Sequence, residues 1–399
     1  MTSNYLPYLP VIVAALVFAV IGAICFVGSQ RAFEHSRKNL SWIRRHGAGG
    51  YPFARNAFPD KPADWLGVFG VAVFALVVSM IYYALRAHYY GTGWLSGLFS
   101  VGTLVAVAFC VAGAVALYYL LQRLFGSTLV SAGGSLLFAA SVVGSHAAAA
   151  MLAVALLLLV LWLTAKREKP FPAELLYYGA QLLLCLTLAL RPQLLPFVLL
   201  FAGLHLYRHI YQLRRDEETP GMLALAIALA ALVWLLGVLL FTIARSTLYY
   251  GMSFAMVAEH LLPDFFGYVG RLLAGGLRLT VRPLLRSRVL QPMMDAPLLG
   301  LGGFGVISAI VLYLRRKDPR SVLVLLIAFT AVLVWALSDC SVLSLALALS
   351  AGLLFSNYER GGKRWPVVCV CVLGVLYYLA LLALSFILPL STAILERIA

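Results

Sequence analysis

Charged side chains are scarce in this chain. Asp, Glu, Lys and Arg make up 11% of its 399 residues, against about 25% in a soluble domain. Acids are the scarcer sign, with 15 Asp and Glu against 30 Lys and Arg. So few charges cannot clothe a water-exposed surface, which excludes a soluble globular fold. Cysteine is sparse too. Cys25, Cys110, Cys185, Cys340, Cys369 and Cys371 fall almost entirely in apolar stretches and read as small buried hydrophobes, not as a disulfide or zinc framework. No P-loop, G-x-S-x-G or H-E-x-x-H motif occurs, and no His, Cys or Asp spacing points to a tight metal site.

What fills the chain instead is hydrocarbon. Hydrophobic residues make up 63% of it, in recurrent runs of the length that crosses a bilayer, about 18 residues or more. About twelve spans are expected, near 7–29, 66–86, 98–121, 128–146, 148–165, 173–190, 192–210, 221–244, 297–314, 321–338, 341–356 and 366–390. The expected fold is therefore all-α, a polytopic transmembrane helical bundle. The first run, Leu9–Val27, has no basic segment before it and no small-residue cleavage site after it, so it reads as a retained helix.

The connections alternate in charge. Every second one (30–65, 122–127, 166–172, 211–220, 315–320 and 357–365) belongs to a set that holds 20 of the 30 Lys and Arg. Basic residues stay on the cytoplasmic side, so the N-terminus is expected outside, in a multi-pass protein of the bacterial plasma membrane. The net charge of +15 then reflects topology and anionic lipid headgroups rather than nucleic acid, for which stacking aromatics interleaved with the cations are missing.

Two connections are long enough for structure of their own. The basic one, 30–65, reads as an interfacial helix followed by a Gly- and Pro-rich turn ending in FPDKPADW, with Asp60 and Asp64 as a carboxylate pair on the cytoplasmic side. The other, 245–296, carries Arg271, Arg278, Arg282 and Arg286 spaced seven, four and four apart. That spacing makes one cationic stripe on a helix lying along the membrane surface. Its plain role is a solvated face, and its sharper role is to hold a lipid-linked phosphate. Glu259 and Asp264 flank His260 in AEHLLPD, as a surface helix with its capping acid or as a catalytic pair. Asp295 and Asp339 read as helix caps. Arg191 sits between two apolar spans with Pro192 after it, where a guanidinium beside a helix start either clamps phosphate or snorkels to headgroups.

From about residue 66 the order of segments resembles the C-type (GT-C) membrane glycosyltransferases, the family of protein O-mannosyltransferases and aminoarabinose transferases. The likeness rests on RAHYYGTGWLSGLFS after one helix, the turn in YYLLQRLFGSTLVSAGGSLLFAAS, the basic AKREK, and LALRPQLLPF, where a cation opens a new external helix. Residues 1–65 would then be an N-terminal addition, and 66–399 a GT-C-like domain with 245–296 as its external segment.

The resemblance implies a polyprenyl-phosphate sugar donor, an unidentified external acceptor, contact with membrane lipid, and cations that hold the donor phosphate. It also implies a carboxylate in the first external loop, but Arg86–Leu98 contains no Asp or Glu. The acids left for general-base work are Glu259 and Asp264. Substrate contacts would fall to Arg191, His88, Arg86, His260, Arg271, Arg278, Arg282, Tyr249 and Tyr250. No cofactor is required, although a divalent metal is compatible. A non-catalytic relative that binds lipid or a partner membrane protein, and a lipid or small-solute transporter, are the competing readings.

Overall fold

The computed structural model describes residues 9–34, 64–89, 99–141, 147–165, 170–214, 218–248, 295–316, 318–336, 342–360 and 364–387, with scattered positions between 53 and 62 and between 253 and 270. Twelve α-helices run through them: α1 (Leu9–Glu34), α2 (Trp65–Tyr89), α3 (Val101–Phe125), α4 (Thr128–Ala140), α5 (Ala147–Leu163), α6 (Pro170–Leu190), α7 (Leu195–Leu213), α8 (Pro220–Leu248), α9 (Ala296–Arg316), α10 (Pro319–Ala336), α11 (Leu343–Arg360) and α12 (Trp365–Ile387). Each falls on one of the expected spans.

Seven of them (α1, α2, α3, α8, α9, α10 and α12) are long and apolar enough to cross a membrane. The others fall short for physical reasons. The 13 residues of α4 rise only about 20 Å, less than the roughly 30 Å hydrocarbon core. The last turns of α7 and α11 are polar, reading HLYRHIYQL and SNYER.

Burial is arranged as lipid requires. Large apolar side chains face outward, with Leu66 82% and Trp365 78% exposed, while Ser131, Ser135, Ser308, Ser350 and Asn357 are buried. Inside a bilayer, helices associate through small residues and interhelical hydrogen bonds, because lipid already satisfies an apolar surface. Asn357 Nδ2 of α11 accordingly donates to Ser308 Oγ of α9 at 3.1 Å.

The chain forms two compact units. The first comprises residues 1–153, 281–331 and 340–399, and the second 154–280 and 332–339. In the first, α9 packs between α1 and α11. Its run GLGGFG makes this close approach work: a Cβ on Gly300 would strike the backbone of Phe18 in α1, and one on Gly305 the backbone of Ser350 in α11. The α3–α4 turn at RLFG ends α3 with Gly126 in the left-handed region at φ 69°, which glycine adopts without strain. Gln122 and Arg123 beside it donate to the carbonyls of Pro62 and Pro59 at 3.5 and 3.3 Å. Two connections assigned to the same basic set thus touch. Asp64 accepts from the Leu66 amide at 3.2 Å as the cap of α2, and Asp60 lies outside the described residues.

In the second unit α6 packs against α7 and α8. Gly237 of α8 lets that helix close on Cys185 of α6. Tyr177 Oη of α6 donates to the Phe201 carbonyl of α7 at 3.4 Å. Four of the five described cysteines are buried and all five are free thiols, as the sequence reading expected.

Candidate metal centre

Helix α7 buries one face. Phe197, Leu200, Phe201, Leu204, His205, Arg208 and His209 are inside, whereas Ala202, Gly203, Leu206 and Tyr207 face out. The spacing of three and four is that of an amphipathic helix. Toward the C-terminal end the buried stripe changes from apolar to polar, and His205 and His209, one turn apart, point the same way. They meet Glu174 from the first turns of α6.

The three ligand atoms form a small triangle. His205 Nε2 lies 3.2 Å from His209 Nε2, and Glu174 Oε2 lies 3.8 and 4.0 Å from those two nitrogens. The circumradius of that triangle is about 2.1 Å, against about 2.0–2.2 Å for zinc bonds to imidazole and carboxylate. Glu174, His205 and His209 are the metal-competent cluster among the described residues.

Neighbouring side chains orient Glu174 and His209. Trp162 Nε1, from the last turn of α5, donates to Glu174 Oε1 at 3.0 Å. This leaves Oε2 buried with no hydrogen-bond donor, and a bare anionic oxygen in that position calls for a cation. Glu218, just before α8, accepts from His209 Nδ1 at 3.1 and 2.9 Å through its two oxygens. A carboxylate there fixes the proton on Nδ1 and presents Nε2 as a lone pair.

The His205 ring packs against Tyr177, at 4.1 Å, and Trp162, at 5.4 Å, and those two rings touch each other at 4.8 Å. Arg208 caps the other side of this group: its guanidinium lies 4.4 Å over the Trp162 ring and donates to the Trp162 carbonyl. The histidine side chains are 4–5% exposed and the Glu174 side chain 21%, although its Oε2 atom is itself buried. Three protein ligands are the count found at catalytic rather than structural zinc.

The sequence reading did not single out this cluster. The signal was the His-x-x-x-His pair in GLHLYRHIYQL, and its third ligand stands 31 positions upstream. Other expected site residues lie elsewhere. Arg191 is exposed, at a break between α6 and α7 where its amide donates to Thr187 O at 2.8 Å. Pro192 opens a 3₁₀ turn, Pro192–Leu194, before α7. Arg191 and Glu174 occupy opposite ends of α6, about 25 Å apart along its axis. Glu259 is helical and exposed. Arg86 and His88 lie in α2, with their side chains outside the description. Asp264, His260, Arg271, Arg278, Arg282, Tyr249 and Tyr250 fall outside the described residues.

Asp295 occupies the cap position of α9, its carbonyl accepting from the Leu299 amide at 2.8 Å. Its carboxylate, however, turns across to α11, where Ser344 Oγ donates to Oδ2.

No protein-family model, curated protein or solved structure matches this chain.

Proposed function

We propose that this chain is a polytopic membrane metalloprotein that holds one divalent transition metal of the zinc class through Glu174, His205 and His209, with a coordination position left for an exchangeable ligand. The observation that carries the reading is the bare, buried Oε2 of Glu174 facing two imidazole nitrogens at ion-binding separations. Two nitrogens and one oxygen suit Zn²⁺ or Co²⁺ far better than Mg²⁺ or Ca²⁺, which prefer all-oxygen sets. A metal so held supplies Lewis acidity or an activated water. The chain's own residues orient the ligands: Trp162 steers Glu174, Glu218 sets the His209 tautomer, and Tyr177 and Trp162 pack against the His205 ring.

The test is the metal content of the full-length protein, purified in detergent and titrated with Zn²⁺ and with Co²⁺ as an optical probe. One ion per chain is expected, with a Co²⁺ visible spectrum of low-coordinate type. His205→Ala, His209→Ala and Glu174→Gln should each abolish it while the chain still extracts and elutes as wild type. Equal metal content in wild type and in a His205→Ala/His209→Ala double variant would overturn the reading.

A second reading keeps the sugar transfer implied by the sequence resemblance. It is favoured by the exposed Arg191 at the α6–α7 break, where a guanidinium beside a helix start can receive a polyprenyl phosphate. That end of α6 is remote from the metal ligands, so the two readings use different surfaces. Retention of a polyprenyl-phosphate sugar by wild type and not by Arg191→Ala would support it. Equal retention by both would remove Arg191 from the donor site.

A further inference from the structure

The first unit contains a second buried polar site, independent of the metal reading. Asp295 is 2% exposed. Ser344 of α11 serves its Oδ2, while Oδ1 is buried without a partner. Beside the carboxyl stands the hydroxyl of Tyr378 from α12, with Tyr377 next to it in the same helix. The Tyr377 hydroxyl is buried without a hydrogen-bond partner, and that of Tyr378 has the Asp295 carboxyl as its side-chain neighbour. No Lys, Arg or His side chain among the described residues pairs with Asp295. Among the described residues, the ionisable groups that face it are Tyr377 and Tyr378.

An ionised carboxylate cannot be kept here at low cost. Burying an unpaired charge carries a penalty of several kcal/mol, and such groups neutralise instead. The neutral acid removes that charge. An O–H on Oδ1 becomes a donor, a phenol oxygen is at hand to accept from it, and Oδ2 keeps the Ser344 bond.

We propose that Asp295 is a reversible proton-binding site in the core formed by α9, α11 and α12, carrying a proton on Oδ1 when the helices are packed as in this structure. The proton comes from water, an O–H bond forms on Oδ1, and no electrons are exchanged. Ionisation leaves an uncompensated anion where α9 meets α11 and α12, so the packing of that helix junction is tied to pH. The sign follows from which state binds the proton more tightly. The folded form does, so the stability this site contributes is present at low pH and is lost as pH rises through its midpoint.

The experiment uses the full chain in lipid nanodiscs. Infrared difference spectra on a pH titration should show a carboxylic-acid carbonyl band that is missing in Asp295→Asn. Its midpoint is expected more than about one pH unit above the ordinary aspartate value of about 3.9. Asn copies the neutral acid, so this variant should fold and show a thermal midpoint that no longer falls as pH rises.

Ser344→Ala removes a hydrogen bond that favours the ionised form, so it should raise the titration midpoint further. Three results would each overturn the proposal. One is an Asp295 that stays ionised down to about pH 4. Another is a Ser344→Ala midpoint that moves down. The last is a stabilisation by Na⁺ over choline that Asp295→Asn abolishes, which would mark a metal-cation site instead.

Discussion

Glu218 Oε2 lies 2.9 Å from Nδ1 of His209, and that contact decides which nitrogen the ring offers to Glu174 and His205. A histidine with a free choice of tautomer spends part of its time with Nε2 protonated and unable to ligate. The carboxylate nine residues further along the chain removes that choice. It also adds negative charge close to the ion.

Glu218→Ala should therefore weaken Zn²⁺ binding about 10- to 100-fold without changing the one-to-one stoichiometry, whereas His209→Ala should remove binding altogether. Calorimetric titration separates the two. Glu218→Gln, which still accepts from Nδ1 but carries no charge, is expected to fall between wild type and Glu218→Ala.

Metal affinity should fall with pH, and the fall should set in below the ordinary imidazole range because burial pushes the His205 imidazole down. The ion needs both Nε2 lone pairs, so protonation of either histidine competes with it. Binding at low pH should therefore be accompanied by proton release. Titrations in buffers of different ionisation enthalpy measure that release. An affinity that does not fall at any acidic pH at which the chain stays folded would mean that the histidines are not ligands.

The glycines of α9 provide a stability test with an internal control. In Gly305→Val the new side chain would strike the Ser350 backbone, and in Gly302→Val that of Leu347. Each should cost about 1–3 kcal/mol, read as a lower thermal midpoint in detergent. Gly303 has nothing near the position of an added Cβ. Gly303→Ala should be neutral or slightly stabilising, since alanine is the better helix former by about 1 kcal/mol.

Trp162→Phe keeps an aromatic face against His205 but loses the donor to Glu174 Oε1. The carboxylate can then rotate. Weaker binding is expected, with the visible spectrum of the Co²⁺ form shifted because the geometry around the ion changes. A wild-type Co²⁺ spectrum and affinity would show that Trp162 does not position the ligand.

Helix placement was legible in the sequence because hydrophobic length is a one-dimensional signal. All twelve expected spans contain a helix, and LALRPQLLPF breaks as its Arg191-Pro192 pair suggests. Crossing was less legible: α4 is apolar yet short, and α7 and α11 end in polar turns. The cluster around His205 was missed for a different reason. Its parts come from four segments: Trp162 in α5, Glu174 in α6, two histidines in α7, and Glu218 ahead of α8. Only the α6–α7 hairpin and the short α7–α8 connection bring them to one end of the unit. The side chain of Asp295 was read as a local cap, since sequence gives its place before α9. It does not give the serine 49 positions away to which the carboxylate turns.

The indole of Trp162 touches a ligand through its nitrogen and stacks on another through its ring. That makes it a built-in optical gauge of occupancy. Among the seven tryptophans of the chain, its emission should be quenched first when paramagnetic Co²⁺ or Cu²⁺ enters, so loading of the native protein can be followed in real time without an attached dye.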